Sequence, residues 1–257
     1  MNLDLPPDLA HWAFGLMLVL ARVGGAMMLL PGLGESAPPA MLRAGLAGCI
    51  AVLLLPGAMP SMPMPPEAGM QAASMIAADV ATGVWFGWLA RTMVLALPMA
   101  GQVLAYAIGI SNVLQSDVEL GPQTTATATL FNAALPALIL STGLYAMPLA
   151  ALAGLYKVIP AGTLLPAADS LRTVLHTVTE GFALALRLAS PFVLANIVWH
   201  AGTGLMARFL PRLQVYFIAA PGQILGGCLL LAGLIGALLS AWQDATSASL
   251  STLPGSG

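Results

Sequence analysis

Few side chains in this chain can do chemistry, and they do not converge on one motif. The histidines are His11, His176 and His200, and the cysteines are Cys49 and Cys228. A zinc hydrolase sets two histidines one helical turn apart around a glutamate, H-E-x-x-H, so that both reach one metal; no such run occurs. Cradling a phosphate takes G-x-x-x-x-G-K-[ST], and an acyl-transfer serine takes the elbow G-x-S-x-G; both are missing. The cysteines have no C-x-x-C spacing and lie in apolar runs, where they are expected as buried small hydrophobes. His200, in NIVWHAGTG beside Trp199 and near Asn196, is expected to make a packing hydrogen bond rather than hold a ligand. Neither a catalytic site, nor a metal, nor a cofactor is expected.

The other candidates are charges set in apolar sequence. Arg22 lies in VLARVGGAM, Asp79 in IAADVATG, Arg91 in WLARTMV, and Glu180 and Arg187 in TEGFALALRLAS. A charge at the centre of a membrane helix costs about 2.5–3.5 kcal/mol on insertion scales, so such groups normally face protein or water. Asp79 and Glu180 suit helix ends from which a side chain snorkels; Arg22 and Arg187 suit them less. All five are candidates for buried charges or contacts with other subunits.

The elements that carry these residues follow from composition. Of 257 residues, 59% are hydrophobic and 7% charged, with Lys157 the one lysine. A soluble domain carries about 25% charged residues, so the integral-membrane class follows. A net charge of -2 argues neither for nucleic acid nor for a steering field. Asp4 and Asp8 stand where a signal peptide would carry lysine or arginine, so no cleaved leader is expected. Six apolar stretches, at about 9–30, 41–56, 74–111, 126–156, 174–205 and 214–242, lack strand-like alternation and are rich in leucine, alanine and methionine. They are helices. Several are too long for one crossing: at about 1.5 Å per residue, 74–111 would run about 57 Å across a core about 30 Å thick. Pro98, Pro136, Pro148 and Pro191 offer kinks or breaks. Arg43, Arg208 and Arg212 against Lys157 and Arg172 are too even a split to orient the chain. Gly83 with Gly87 and Gly222 with Gly226 each form G-x-x-x-G, a spacing for close helix packing within the chain or with another subunit. The tail DATSASLSTLPGSG, small and polar, is expected to be disordered over 246–257, leaving one domain over 1–245.

One polar island interrupts this pattern, GISNVLQSDVELGPQTTATAT over 109–129. Irregular backbone of this kind is tolerated at membrane depth only where it is buried in protein or lines a water-filled cavity. The plain alternative is a solvated turn between helices.

Three regions in order carry a resemblance. LARVGGAMMLLPGLGESAPPAMLRAGLAGCIAVLLLP (20–56) has an arginine in the first helix, a proline-bounded loop, Arg43, and an apolar run ending at Pro56. DVATGVWFGWLAR and AGQVLAYAIGIS (79–111) carry Gly83, Gly87, Gly101 and Gly109, with Ser111 after the last. MARFLPRLQVYFIAAPGQILGG (206–227) carries Pro211, Leu213, Gln214, Tyr216 and Pro221. Over about 10–240 the chain resembles the FliR family, the R subunits of the flagellar type III export gate, and their injectisome counterparts.

The resemblance implies a non-enzymatic structural subunit in the bacterial inner membrane and flagellar basal body. It implies an all-α, membrane-associated fold of kinked helices and hairpins, like a fused FliP-like plus FliQ-like subunit, within a helical hetero-oligomer. The implied partners are FliP and FliQ, the FlhB and FlhA export components, membrane lipid, and the unfolded flagellar proteins that pass through, but no nucleic acid. It further implies that the segment at about 109–125 is a plug loop in the channel, with Gly109, Ser111, Asn112, Val113, Leu114, Gln115, Ser116, Asp117 and Val118 as plug residues. Val113, Leu114 and Val118 would help seal it while Asn112, Gln115, Ser116 and Asp117 stay hydrated. Gln102 stands where the family usually has an acidic residue. The alternatives are an injectisome subunit of the same family and an independent secondary transporter.

Overall fold

The computed structural model describes residues 7–34, 39–110, 125–209 and 215–256. All regular structure among them is helical: α1 (Pro7–Met27), α2 (Ala40–Ala58) running into a 3-10 turn (Met59–Ser61), α3 (Gly69–Val94), α4 (Ala96–Ile108), α5 (Ala126–Thr142), α6 (Ala146–Val158), α7 (Ala167–Phe209) and α8 (Val215–Leu250). Two of the expected stretches are broken, so six become eight. The break before α4 falls at Leu95 and that before α6 at Gly143–Tyr145, which puts Pro98 and Pro148 each in the first turn of the following helix. There a missing N–H costs nothing, because first-turn donors have no helical acceptor. Gly143, with φ +74, makes the reversal after α5, and α5 and α6 meet at 73°. Pro136 and Pro191, by contrast, stay inside α5 and α7.

By length and composition, Leu9–Met27, Ala40–Ser61, Gly69–Ile108, Ala167–Phe209 and Ala219–Leu250 can cross a membrane, and α5 with α6 form a bent sixth candidate. The 43 residues of α7 make a helix of about 64 Å, well beyond one bilayer core.

The chain divides into two compact units, Met1–Val94 with Pro136–Val178 and Ser247–Gly257, and Leu95–Leu135 with Thr179–Thr246. In the first, α1 packs along α3 and α2, and α2 also touches α6. Leu18, Val19 and Val23 of α1, Leu30 just beyond it, Phe86 and Leu89 of α3, and Leu152 and Leu155 of α6 are fully buried. Glycine sets the α1–α3 spacing. A Cβ on Gly25 would stand 2.7 Å from the carbonyl oxygen of Val80, and one on Gly87 would stand 2.6 Å from that of Ala26. A Cβ on Gly83 would run into the Arg22 carbonyl.

The end of the chain departs from expectation. Residues 246–250 continue α8, and Leu253 is 2% exposed. Gly255, at φ +93, lies so close to Ala151 and Gly154 of α6 that neither glycine has room for a side chain. The tail is short and polar on average, but Leu250 and Leu253 supply buried apolar anchors that its composition conceals.

In the second unit the buried side chains include Leu97 and Leu104 of α4, Phe131 of α5, Leu188 and Phe192 of α7, and Trp242 of α8. Gly101 meets Ala128 and Phe131, Gly227 meets Ile108, and Gly222 meets Trp199. Helix α8 is the most apolar candidate span, with mean hydropathy 2.3, yet only 6% of its most apolar 18-residue window is buried within the chain.

Candidate functional site

Two polar arrangements stand out against this apolar framework, one in each unit. In the first, Arg22 of α1 reaches Asp79 of α3, both fully buried. The carboxylate oxygen Oδ1 of Asp79 lies 2.7 Å from Nε and 2.6 Å from Nη2 of Arg22. The other guanidinium donors go to the chain after α6: Nη1 to the Ile159 carbonyl at 2.8 Å and Nη2 to that of Pro160 at 3.2 Å. Oδ2 of Asp79 accepts the Gly162 N–H at 2.8 Å. The Tyr156 ring lies under the guanidinium, 4.3 Å from its centre, a cation–π contact. One ion pair thus ties α1, α3 and the α6–α7 turn together. The close helix approach set by Gly25, Gly83 and Gly87 shortens the reach, and Gly162, at φ +73, turns its N–H into the pair. A buried charge pair is tolerated only when its remaining donors and acceptors are satisfied, as they are here.

These contacts correct the snorkelling alternative for Asp79, which lies deep between helices rather than at a helix end. The other charges are not gathered with it. Arg91 is half-buried on α3, and Glu180 and Arg187 are exposed on α7. In the chain by itself Glu180 and Arg187 are therefore not buried, because α7 turns most of its surface outward: 28% of its apolar window is covered. Cys49 and Cys228 are also exposed rather than buried, each lying on a helix, α2 or α8, that the chain covers little. His200 Nδ1 lies 2.9 Å from the Asn196 carbonyl oxygen of its own helix, where only an Nδ1–H can donate to it. Among the described residues no three histidine, cysteine or acidic side chains converge as metal ligands would.

The second arrangement is the stem of the polar island. Gly109 closes α4 at φ +85. Gln223 of α8 donates Nε2–H to the Ala107 carbonyl at 3.2 Å. On the returning side, Gln102 Oε1 accepts both the N–H and the hydroxyl of Thr125, at 3.3 and 3.2 Å. Ser111, Asn112, Val113, Leu114, Gln115, Ser116, Asp117 and Val118 lie outside the described residues, so of the expected plug set only Gly109 is placed. Nearby, Ile108, Phe192, Asn196, Trp199, Gln223 and Gly226 line a mostly apolar cavity of about 270 Å³. Of the expected glycine pairs, Gly83 and Gly87 pack on α1 and Gly222 packs on Trp199, while Gly226 has no atom near its missing side chain.

Tyr156, Gly162, Thr125 and Gln223 were not legible as site residues, and Gln102 stood out only as a departure from the family's acidic residue. Gly162 sits in PAGTLLPAAD, which reads as a connector, and the two glutamines carry no spacing signal of their own.

Known proteins bear on this architecture. Residues 13–249 match the family described as bacterial export proteins, family 1. The Flagellar biosynthetic protein FliR of Caulobacter vibrioides is 29% identical over 228 residues, covering 88% of this chain and 90% of that protein. The Yop proteins translocation protein T of Yersinia pestis, and that of Yersinia pseudotuberculosis, are 25% identical over 207 residues, 79% of each chain. With the match running from α1 to the end of α8, through both units, the chain belongs to the bacterial export proteins, family 1.

Proposed function

We propose that this chain is a structural, non-enzymatic subunit of a flagellar type III export gate in the bacterial inner membrane, assembled with FliP and FliQ. The match across 13–249, with a flagellar biosynthetic protein aligned over nearly its whole length, carries the proposal. The exposed apolar faces support it. Leu225 and Leu229 on α8, and Leu194, Ile197 and Val198 on α7, are between 61% and 74% exposed. Such area needs either lipid or protein to cover it. Two helices of 43 and 36 residues exceed a bilayer core, which suits packing against neighbouring subunits rather than lipid alone. FlhA and FlhB are the further partners, and unfolded flagellar proteins the cargo. In this assembly the chain acts as a fused FliP-like and FliQ-like subunit, and its segment at about 109–125 plugs the channel. The injectisome alternative rests on the translocation protein T likeness, which covers less of both chains at lower identity.

Co-expression with FliP and FliQ of the same organism tests the assembly. Pull-down through this chain followed by native mass measurement should return one discrete complex containing all three. Recovery of this chain alone, monodisperse in mild detergent while the other two assemble without it, overturns the reading and points to an independent transporter. The plug is tested separately: deleting 112–118 should leave assembly intact and let small solutes leak. A fully assembled complex that stays tight refutes the plug.

A further inference from the structure

Helices α1 and α2 pack together, yet a groove of about 640 Å³ stays open between them. Leu20, Gly24 and Met27 of α1 form one side, and Ala40, Ala44 and Ala47 of α2 the other, with Arg43 among them. Small residues make the room. Nothing lies within 4 Å of where a Cβ on Gly24 would stand, and α2 offers alanines. The volume falls within the range of about 300–1,000 Å³ usual for small-molecule sites.

Arg43 is not served by the chain as Arg22 is. Each guanidinium nitrogen of Arg22 has an acceptor. Arg43 is half-buried, its Nε is shielded from solvent, and that Nε donates to no described residue. Water does not reach this atom, and a buried donor left unmade is costly, more so on a charged group. No acidic side chain lines the groove. A guanidinium matches the oxygens of a phosphate through two parallel N–H bonds. The positive end of α2, which starts at Ala40 without a side-chain cap, adds to the same potential.

Depth in the membrane narrows the ligand. Met27 ends the candidate span Leu9–Met27, and Ala40 begins the span Ala40–Ser61. The mouth of the groove therefore lies where both spans end, at the level where lipid headgroups meet hydrocarbon. From Met27 down to Leu20 it follows α1 for about 10 Å, at about 1.5 Å per residue, within one leaflet of a core about 30 Å thick. Only 11% of the apolar window of Ala40–Ser61 is buried within the chain, so α2 is largely uncovered.

We propose that the groove between α1 and α2 binds an anionic phospholipid, with its phosphate on Arg43 and an acyl chain running past Gly24 toward Leu20. This does not rest on the export-gate reading. The order of groups fits, with a cation at the mouth and apolar side chains below it. Phosphatidylcholine carries a cation beside its phosphate, and the groove has no acidic side chain to meet it. An apolar helix of a neighbouring subunit is the rival occupant, but it would leave the Arg43 Nε without an acceptor.

The test is native mass measurement of bound lipid on the purified full chain and on its complex with FliP and FliQ. Phosphatidylglycerol should be retained, one per copy of this chain, at about tenfold lower concentration than phosphatidylcholine. R43Q should weaken phosphatidylglycerol about tenfold and abolish the preference, the loss of a hydrogen bond to a charged group. G24L fills the groove and should lower retention of both lipids. Equal retention of the two lipids by the unaltered chain overturns the proposal, as does an R43Q chain that keeps the preference. Glycerol 3-phosphate at equal concentration should not compete; if it displaces the lipid, the site takes a free anion and the lipid reading falls. If the chain alone holds phosphatidylglycerol and the complex does not, the groove is a subunit interface and the proposal falls. Should R43Q not be recovered folded, G24L decides, and unchanged retention of phosphatidylglycerol overturns the proposal.

Discussion

The two G-x-x-x-G pairs have the same spacing and opposite fates. Gly83 and Gly87 lie against α1, whose backbone fills the space a side chain would take. Gly222 meets only the edge of Trp199, and Gly226 meets nothing within 4 Å. The first pair is used up inside the chain; in the second, Gly226 stays exposed, on a helix whose most apolar 18-residue window is 6% buried. What separates them is the neighbour. A buried arginine and aspartate clamp α1 to α3, and glycine brings the helices near enough for that clamp to close. Helix α8 meets Ala107 through Gln223 and Ile108 through Gly227, and its exposed leucines, Leu225 and Leu229, stay open for lipid or another subunit. A small-residue motif therefore shows that close approach is permitted, not which partner makes it.

The comparison can be broken at the clamp first. Asp79→Ala leaves Arg22 buried without its counter-charge and should destabilise by about 3–5 kcal/mol. A thermal unfolding midpoint of the purified complex should fall sharply, and R22M combined with D79A should restore part of the loss. A D79A midpoint equal to the unaltered complex would show that the clamp does not hold the α1–α3 interface.

Gly83→Ala comes next. Its methyl must displace the Arg22 carbonyl, and overpacking of this kind costs about 1–3 kcal/mol. Gly24→Ala, on α1 but with nothing within 4 Å, is the matched control and should leave the midpoint in place. Equal behaviour of the two would mean that α1 and α3 yield without cost.

Gly222→Ala should cost less than about 1 kcal/mol, because the far edge of the Trp199 ring lies 3.1 Å from the new atom and a side chain shifts more easily than backbone. The smallest expected effect on the chain's own stability is that of Gly226→Ala, and it sharpens the comparison most. Native mass measurement should show a lower yield of the complex with FliP and FliQ if the face of α8 at Gly226 packs against another subunit. An unchanged yield assigns that face to lipid.

Much of this was legible residue by residue. Arg22 and Asp79 were visible as charges where none belong, because an apolar run makes any charge conspicuous. Their pairing was not, since 57 positions separate them and no local pattern links them. Glu180 and Arg187 looked alike in sequence to the pair but lie outside, because hydropathy reports a helix's composition and not which face the chain covers. The proline breaks were half legible. Pro98 and Pro148 sit just after breaks and Pro136 and Pro191 within helices, a choice made by the turns at Leu95 and Gly143 rather than by proline itself. The tail is ordered against expectation because two leucines matter more than their small neighbours, six of them serine or threonine, once a surface is there to receive them.

The sequence alone determined the membrane class, the all-helical character, the approximate bounds of the helices and the family. These follow from composition, periodicity and ordered short motifs, all of which are local. Tertiary structure decided which charges meet, which glycines are filled, that Gln102 meets Thr125 and Gln223 meets Ala107, and that Gly255 docks on α6. The physical reason is common to all four. A hydrogen bond, an ion pair or a close packing contact depends on two groups arriving at one place, and only the folded chain brings residues 22 and 79, 107 and 223, or 154 and 255 together.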